Sequence, residues 1–547
     1  MTYRTPSQCL ALLQQLPPEL DKRHQVLSAI ITDLLESSPS PRQHLEVLEA
    51  TRQPIDAAQT GLTAHCTRQP LPPDSADNDT LLRVVTLWQN LARSYALVAQ
   101  QATRLGTLKS KHPLLAQRQL YYLGKVVVEY YRAHRALPVG AWKAAHEAFL
   151  AVEAANLAHT RVPDVLNTVW KAQSALEAYI TILLIDLANP FGRTGHEWAW
   201  ICRWAQRFSP YCDLDPVITG RKPTTYALDL TADFGLRPLG LFPKGTQARY
   251  FDCAKLAAQI QSVFAQFKQG VSPTSLGLGD DCSVESCAHL LLSLYRPWGL
   301  ASAGRRFPRR GTQGQVELAS DWFSIGFHLQ GKLFEQPRRS SNTHASGIGY
   351  QLTNDTALLT FGELAAGIET AGTNKRDFAH MRIEAERLGL ECEAWELLDQ
   401  SVGGFRLQRH PSEKRIEHHQ LVGLRPEDGE YFLFGQVSWL MFQDSGVLQA
   451  GIHIMPGLPR VVSARLQDNS AEGAAASSAA PYLQAFIINA NEKLQITASL
   501  ILPAGWFRPQ GAVELFDNGQ IRELRLTQLI NRGPNFEQVS FTDAASA

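Results

Sequence analysis

The chain has 547 residues, which is long enough for several domains of ~150 residues each. Hydrophobic residues make up 44% and charged residues 19% of it, as in ordinary globular proteins. Lys and Arg number 52 and Asp and Glu also number 52, so the formal net charge is zero. This balance argues against a protein that coats a nucleic-acid polymer or is held on a membrane by charge.

The sequence shows neither a typical secretory signal nor a membrane span. Its first residues lack a basic start followed by an apolar run. The longest apolar run, Ala178–Ile185, is far shorter than the ~20 residues that a spanning helix needs. Eight cysteines are scattered along the chain, none in a CxxC pair. We therefore expect a cytoplasmic protein with reduced cysteines and no structural metal.

Residues 1–205 predict a helical domain. Between 81 and 98, apolar residues recur at every third or fourth position, and the polar run 77–80 offers caps just upstream. The run 120–131 is apolar almost all round, which predicts a central helix. Further helical segments around 141–187 are interrupted by one helix-breaking turn, so the pattern predicts an antiparallel helical array.

Residues 206–300 predict a mixed α/β connecting region. Short strands are expected in 226–242, and an amphipathic helix ends at Gly270. The Gly277-Leu-Gly279 triplet lacks a third glycine and a clear preceding strand, so it does not indicate a nucleotide-binding loop.

Beyond residue 300 the hydrophobic period changes from 3.6 to 2, which predicts a small antiparallel β-barrel over 301–465. An insertion of about 327–390 is expected within it. The Ala- and Ser-rich segment 466–481 has the composition of a flexible linker, and 482–547 predicts a C-terminal β module. The predicted fold class is therefore a multidomain α+β protein. Strand-like runs in the barrel begin at residues 314, 391, 404, 419, 431 and 447.

The densest charge feature is the segment GRRFPRRG, Gly304–Gly311. Arg305 with Arg309, and Arg306 with Arg310, both have R-x-x-x-R spacing, and a proline within the run disfavours a helix. A planar guanidinium can hold a phosphate, or the edge of guanine, through two hydrogen bonds. The alternative is a solvated basic linker.

A second feature is the turn in WELLDQSVGGFRL, residues 395–407. Asp399 and Ser401 are two apart on a predicted strand, so both side chains point to the same side and could meet one ligand. Gly403 and Gly404 allow the backbone to approach closely. An ordinary hairpin turn would also suit this composition.

Taken together, an R-x-x-x-R arm that leads into a β-barrel and the D-x-S-x-x-G pattern of Asp399, Ser401 and Gly404 resemble the PilZ domain. The resemblance covers about residues 300–460. It implies a receptor for cyclic di-GMP, a bacterial second messenger, that signals and does not catalyse. The ligand contacts it implies come from Arg305, Arg306, Arg309, Arg310, Asp399, Ser401, Gly403 and Gly404.

The spacing of the two motifs departs from the PilZ pattern. Here 89 residues separate Arg310 from Asp399, whereas PilZ domains usually place the motifs a few tens of residues apart. The expected insertion explains this, and its segment 375–389 reads as a helix. Arginines of that segment are alternative candidates for the arm. The run Asp321–Gly326 echoes the turn motif with its serine displaced, and we expect it to be strand and core.

Two functions remain open. In the first, the chain is a cyclic di-GMP receptor whose arginine arm joins the helical half to the barrel, so that ligand binding alters how these parts meet. The helical half would then contact a protein partner. In the second, a degenerate PilZ-like barrel belongs to an adaptor that binds protein partners without nucleotide.

Catalysis is disfavoured. The pairs His418/His419 and Cys287/His289 are the nearest approach to a catalytic cluster, but adjacent residues on a strand point to opposite faces. No nucleophile, metal or phosphate-loop constellation accompanies them in the sequence.

Overall fold

The structure is a computed structural model that divides into two compact units. The first comprises Met1–Gln69 and Pro73–Arg305, and the second comprises Pro70–Pro72 and Arg306–Ala547. The structure describes residues 5–64, 70–218, 225–242, 245–301, 310–311, 314–337, 378–401, 403–427, 429–467, 480–490 and 496–543.

The first unit is mainly helical, with two small sheets in its C-terminal half. Strand β3 lies between β4 and β5, and β1 pairs with β2. The helices are α1 Pro6–Leu13, α2 Leu20–Ser37, α3 Pro41–Thr63, α4 Ser75–Leu105, α5 His112–Arg132, α6 Ala141–Ala154, α7 Ala175–Leu187, α8 Gly195–Phe208, α9 Ala254–Lys268 and α10 Val284–Gly299; the strands are β1 Val162–Pro163, β2 Ala172–Gln173, β3 Thr225–Asp229, β4 Arg237–Pro238 and β5 Ala248–Asp252.

Helix α4 forms where its apolar period predicts a helix, but it starts earlier than the predicted caps. Its N-cap is Asp74, whose side chain accepts a hydrogen bond from the backbone N–H of Asp77. It ends at Gly106, which takes a φ of 65° that a side chain would disfavour. The predicted apolar face, which includes Trp88 and Tyr95, is buried.

Helix α5 is central, as its composition predicts. One side, with Leu120 and Val127, packs into the core formed with α6 to α10, and the other, with Tyr122 and Val126, packs into the core formed with α2, α3 and α4. The connecting region shares the first of these cores, because Phe251 of β5 and Leu290 of α10 belong to it. The predicted domains 1–205 and 206–300 therefore form one unit.

A buried ionic network links α3 and α5 to the chain around β1. Asp164 has a fully buried side chain, with Oδ1 2.9 Å from Nη2 of Arg52 and Oδ2 3.2 Å from Nη1 of Arg118. Both guanidinium groups are only 2% exposed. Gln117 donates its Nε2–H to the same carboxylate at 3.2 Å. Glu49, 32% exposed, adds a second carboxylate 3.1 Å from Arg118 and 4.0 Å from Arg52, so that two carboxylates compensate two buried positive charges.

His44 of α3 is a buried histidine between two helices of the first unit. The ring is fully buried and its Nε2 lies 2.7 Å from Oγ of Ser94 on α4. Burial lowers the pKa of His44 to about 4, because a charged imidazolium would lose its hydration there.

Lowering the pH from 7 to 5 is expected to destabilise the protein partly through His44. An unfolded histidine titrates near pH ~6.5. Between that pH and about 4, the unfolded chain binds a proton that the folded chain does not, so the free energy of unfolding falls as the pH drops. The contribution is fully present above pH ~6.5, and its loss can reach about 3 kcal/mol.

Thermal melting at both pH values measures this effect. The His44→Gln variant should show a smaller drop in Tm between pH 7 and pH 5 than the unaltered chain. His159, which is exposed, supplies the matched control, and His159→Gln should keep the original drop. An unchanged drop in His44→Gln would contradict the prediction.

One cysteine expectation is wrong. Cys282 and Cys287 form a disulfide at the start of α10, with their Cα atoms 6.2 Å apart. The four residues between them lead into the first turn of the helix, which brings the two sulfurs together. Cys202, Cys212, Cys253 and Cys392 are free thiols.

The second unit begins with an antiparallel barrel. Its sheet runs β6-β8-β7-β10-β11-β12-β9, and a further pairing of β8 with β9 closes the ring. Trp395, Leu407 and Val437 are among the buried residues that fill its interior. The strands are β6 Arg310–Gly311, β7 Gln315–Ala319, β8 Glu393–Ser401, β9 Gly404–Arg409, β10 Leu421–Pro426, β11 Leu433–Phe442 and β12 Leu448–Ile454.

The insertion lies between two strands that pair directly. Val316 of β7 is opposite Trp395 of β8, so the chain leaves the barrel after β7 and returns to the neighbouring position. Two helices are described within the excursion, α11 Trp322–Gln330 and α12 Phe378–Leu388. The helix predicted near 375–389 is therefore present. The strand expected at 321–326 is wrong, because Asp321 caps α11 there.

A second closed barrel follows, in the order β13-β14-β15-β18-β17-β16. Leu500, Val513 and Leu524 lie among the residues of its core. The predicted class, a helical N-terminal region, a mixed middle and an antiparallel barrel with further strands, is confirmed. The strands are β13 Pro459–Gln467, β14 Leu483–Ile488, β15 Ser499–Pro503, β16 Ala512–Asp517, β17 Gln520–Arg532 and β18 Phe536–Asp543.

The predicted boundaries in this unit need correction. β13 pairs with β14 and β16 and so belongs to the second barrel, although the prediction assigned 459–465 to the first. The segment expected to link two domains instead connects neighbouring strands of one barrel; its residues 468–479 lie outside the described part of the chain. An Ala- and Ser-rich composition does not distinguish a long hairpin loop from an interdomain linker.

The two barrels pack against each other through a shared apolar cluster. The rings of Phe434 and Phe486, one from each barrel, meet edge to face with centroids 5.0 Å apart. Trp322 of α11 donates its indole N–H to the carbonyl of Gln484 on β14 at 2.9 Å. Helix α11 therefore helps to hold the two barrels together as one body.

A short segment from far upstream completes the first barrel. Leu71 is buried in the barrel core, and its backbone N–H and C=O both pair with Ile416 at 2.9 Å. Across the ranges given above, none of the helices is both long and apolar enough to cross a membrane.

Candidate ligand-binding face

The predicted turn is a tight hairpin between β8 and β9. Ser401 lies opposite Gly404, and its Oγ donates to the carbonyl of Gly404 at 3.3 Å. The carbonyl of Gly403 accepts a hydrogen bond from the N–H of Ile454, just after the pairing with β12, at 3.0 Å. The turn is thus fixed to a third strand and does not project freely.

A β-bulge places Asp399 and Ser401 on the outside of the barrel. Trp395 and Leu397 point inward in the usual alternation, which on its own would direct Asp399 inward as well. The register shifts after Leu397, so that Asp399 lies opposite Arg406. An extra residue in one strand reverses the face of those that follow. The aspartate and the serine therefore share the outer face.

The carboxylate of Asp399 faces an arginine that the sequence reasoning missed. Arg406 Nη1 lies 3.9 Å from Oδ2 of Asp399, and Nη2 donates to Oε1 of Gln449 at 2.9 Å. The side chain of Asp399 is 16% exposed and that of Arg406 is 38% exposed. The sequence could have indicated Arg406 as a site residue, because it lies two residues after Gly404 on a strand. Residues at this spacing share one face of the hairpin.

The arginine arm joins the barrel beside this turn. Arg310 pairs with Gln400, and Gly311 pairs with Asp399, in a short antiparallel ladder. The two motifs, 89 positions apart in the sequence, come together because β7 and β8 are neighbours despite the insertion. Arg305, Arg306 and Arg309 lie outside the described residues, and for Arg310 the backbone alone is described.

The alternative arginines of the insertion have partners elsewhere. Arg382 pairs with Glu317 of β7, and Arg387 pairs with Glu384 within α12. Arg376 lies outside the described residues. Both described arginines are therefore engaged away from the turn.

From the sequence we expected the side chains of His418 and His419 to point to opposite faces, but their rings lie together with centroids 3.9 Å apart. Nε2 of His418 lies 3.0 Å from the carbonyl oxygen of Ser438, which is a structural contact. Cys287 is occupied in the disulfide with Cys282. Within the described ranges, no group of three or more His, Cys, Asp or Glu side chains could hold a metal ion.

Two family models match the chain. One is described as the N-terminal domain of the cyclic-di-GMP receptor FimW and matches residues 7–217, within the helical unit. The other is described as the FimW C-terminal beta-barrel domain and matches residues 472–544, within the second barrel. Together they cover just over half of the chain. The first barrel, with Asp399 and Arg406, lies between the two matches. No curated protein matches the chain.

Proposed function

The chain belongs to the family of the cyclic-di-GMP receptor FimW, and on this premise we propose that the ligand binds on the outer face of the first barrel, at the β8–β9 turn. The pairing of Gly311 with Asp399 carries this proposal, because it starts the arginine arm directly beside the turn. The ligand-binding residues would be Arg305, Arg306, Arg309, Arg310, Asp399, Ser401, Gly403 and Gly404.

Each group has a chemical task on a guanine dinucleotide. The carboxylate of Asp399 accepts hydrogen bonds from the N–H groups of a guanine edge. The hydroxyl of Ser401 donates or accepts beside it, and the two glycines let the backbone approach closely at the turn. The arm supplies guanidinium groups for the two phosphates, for which their planar forks are well suited.

The arm also suggests how binding becomes a signal. The boundary between the two compact units falls between Arg305 and Arg306, inside the arm. Binding of the arm to a ligand would change the connection between the units, and the helical unit would pass this change to a protein partner. The protein would act as a cytoplasmic receptor and not as an enzyme.

Titration calorimetry with cyclic di-GMP, next to GMP and cyclic di-AMP, tests the proposal. The unaltered chain should bind cyclic di-GMP in preference to the other two. Arg309→Ala and Ser401→Ala should each weaken binding about tenfold or more, since each removes a hydrogen bond to a charged group worth ~1.5–3 kcal/mol. Limited proteolysis should change near residues 302–309 when the ligand saturates.

Arg525 offers a matched control, because it is an exposed arginine on β17 of the second barrel. Arg525→Ala should bind with unchanged affinity. No heat of binding from the unaltered chain would overturn the proposal and leave the nucleotide-free adaptor as the function. Cleavage that stays the same at saturation would overturn the signalling step alone.

A further inference from the structure

A second β-bulge, on a different strand, turns a tryptophan onto the same outer face. Val437 of β11 points into the barrel, and the register then shifts so that Trp439 lies opposite Gly451 of β12. Without the shift, Trp439 would continue the inward alternation. Bulges are frequent next to binding sites because they redirect a side chain.

The indole lies directly on the backbone of Gly451. A Cβ at that position would be 1.8 Å from Nε1 and 2.4 Å from both Cδ1 and Cε2 of the ring. Only glycine therefore lets the five-membered ring rest there. Trp439 remains partly exposed to solvent, although a tryptophan of this size contributes most to stability when it is buried in the core.

Cross-strand pairing connects this tryptophan to the proposed ligand site. Asp399 pairs with Arg406, Arg406 pairs with Gly451, and Gly451 pairs with Trp439, so the row crosses four adjacent strands on one face. Neighbouring strands are ~4.8 Å apart, which puts the indole on Gly451 roughly 10 Å from the backbone of Asp399. Arg406 lies between them.

We propose that Trp439 is a stacking platform for one guanine base of cyclic di-GMP, while the other base meets Asp399. This inference rests on the proposed function and deepens it. The ligand carries two bases on one ring of sugars and phosphates, so it can reach both positions at once. Arg406, between them, faces the phosphates. An indole face suits this task because every purine has a large π surface to stack on it.

The test compares three variants by calorimetry with cyclic di-GMP. Trp439→Leu should weaken binding roughly tenfold, the loss typical when one stacked aromatic ring is removed. Trp439→Phe keeps a ring and should stay within about threefold of the unaltered chain. The matched control is Trp506→Leu, which replaces a partly exposed tryptophan of the second barrel. This variant should bind cyclic di-GMP as the unaltered chain does.

Two further measurements separate stacking from a structural role. Gly451→Ala leaves Trp439 in place but displaces its ring, and it should weaken binding as Trp439→Leu does. The chain has 11 tryptophans, so the quenching of Trp439 by ligand is read as the difference in emission between the unaltered chain and Trp439→Phe. This difference should change on saturation even if Trp439→Leu fails to fold.

The outcomes distinguish this inference from the proposed function. If Trp439→Leu and Gly451→Ala both bind cyclic di-GMP as tightly as the unaltered chain does, the stacking platform is overturned. The proposed ligand site is not affected by that result. If Arg309→Ala and Ser401→Ala bind normally while Trp439→Leu does not, the arm and turn are overturned and the platform is supported. If the unaltered chain does not bind, both fail.

Discussion

Replacing Asp164 with alanine is expected to lower the free energy of unfolding by roughly 3–5 kcal/mol, the cost of breaking a buried ion pair from one side. The variant leaves the guanidinium groups of Arg52 and Arg118, each only 2% exposed, with the partly exposed Glu49 as the carboxylate that they still share. Like charges held in a medium of low polarity repel strongly. Urea denaturation followed by circular dichroism measures the change.

An exposed ion pair in the same unit provides the control. Asp213 pairs with Lys255 at 2.9 Å, with the two side chains 50% and 74% exposed. Removing its carboxylate in Asp213→Ala should cost less than about 1 kcal/mol, since water screens the partner. Similar losses in the two variants would show that burial of the Asp164 network does not matter, contrary to the prediction.

Gly404→Ala is expected to disrupt both the first barrel and ligand binding. A Cβ at Gly404 would lie 2.0 Å from the carbonyl oxygen of Ile452, a backbone atom of the neighbouring strand. Either β9 or β12 must move, at a cost of about 3 kcal/mol. The movement also displaces Ser401, which is paired with Gly404. Thermal melting and cyclic di-GMP titration on the same sample measure the two effects.

Gly314, in the loop before β7, is the matched glycine. No atom lies within 4 Å of a Cβ built there, so Gly314→Ala should melt and bind like the unaltered chain. A Gly404→Ala variant with an unchanged melting temperature would mean that the turn tolerates a side chain, which the close approach to Ile452 argues against.

Sequence periodicity predicted the strands of the first barrel because each alternates clearly and ends at a polar turn. It could not predict the bulges. Trp395 and Leu397 establish an inward alternation that, continued, would have buried Asp399, and only the register shift against β9 turns it outward. A bulge depends on the partner strand, so one strand read alone does not reveal it. The roles of the arginine arm and of Ser401 stay predictions.

Pairing between strands that are far apart in the sequence could not be predicted either. Nothing local to Gly311 or Asp399 indicates that they are neighbours across the insertion. Helix α11 was missed because it has only nine residues, of which three are polar, and so short a run does not distinguish a period of 2 from one of 3.6. The cap at Asp321 was the available signal, since its carboxylate accepts from the N–H of Ser324.

The contribution of Leu71 to the first barrel makes that barrel discontinuous along the chain. A shortened protein beginning at residue 306 would lack Leu71. Ile416 would then have unsatisfied backbone groups, and a gap would remain beside the apolar interior of the barrel. Simple truncation would therefore destabilise the first barrel. Attaching residues 70–72 to the shortened protein should restore the stability of the barrel. The polypeptide crosses from one unit to the other three times, so a single cleavage of the chain cannot separate the two units.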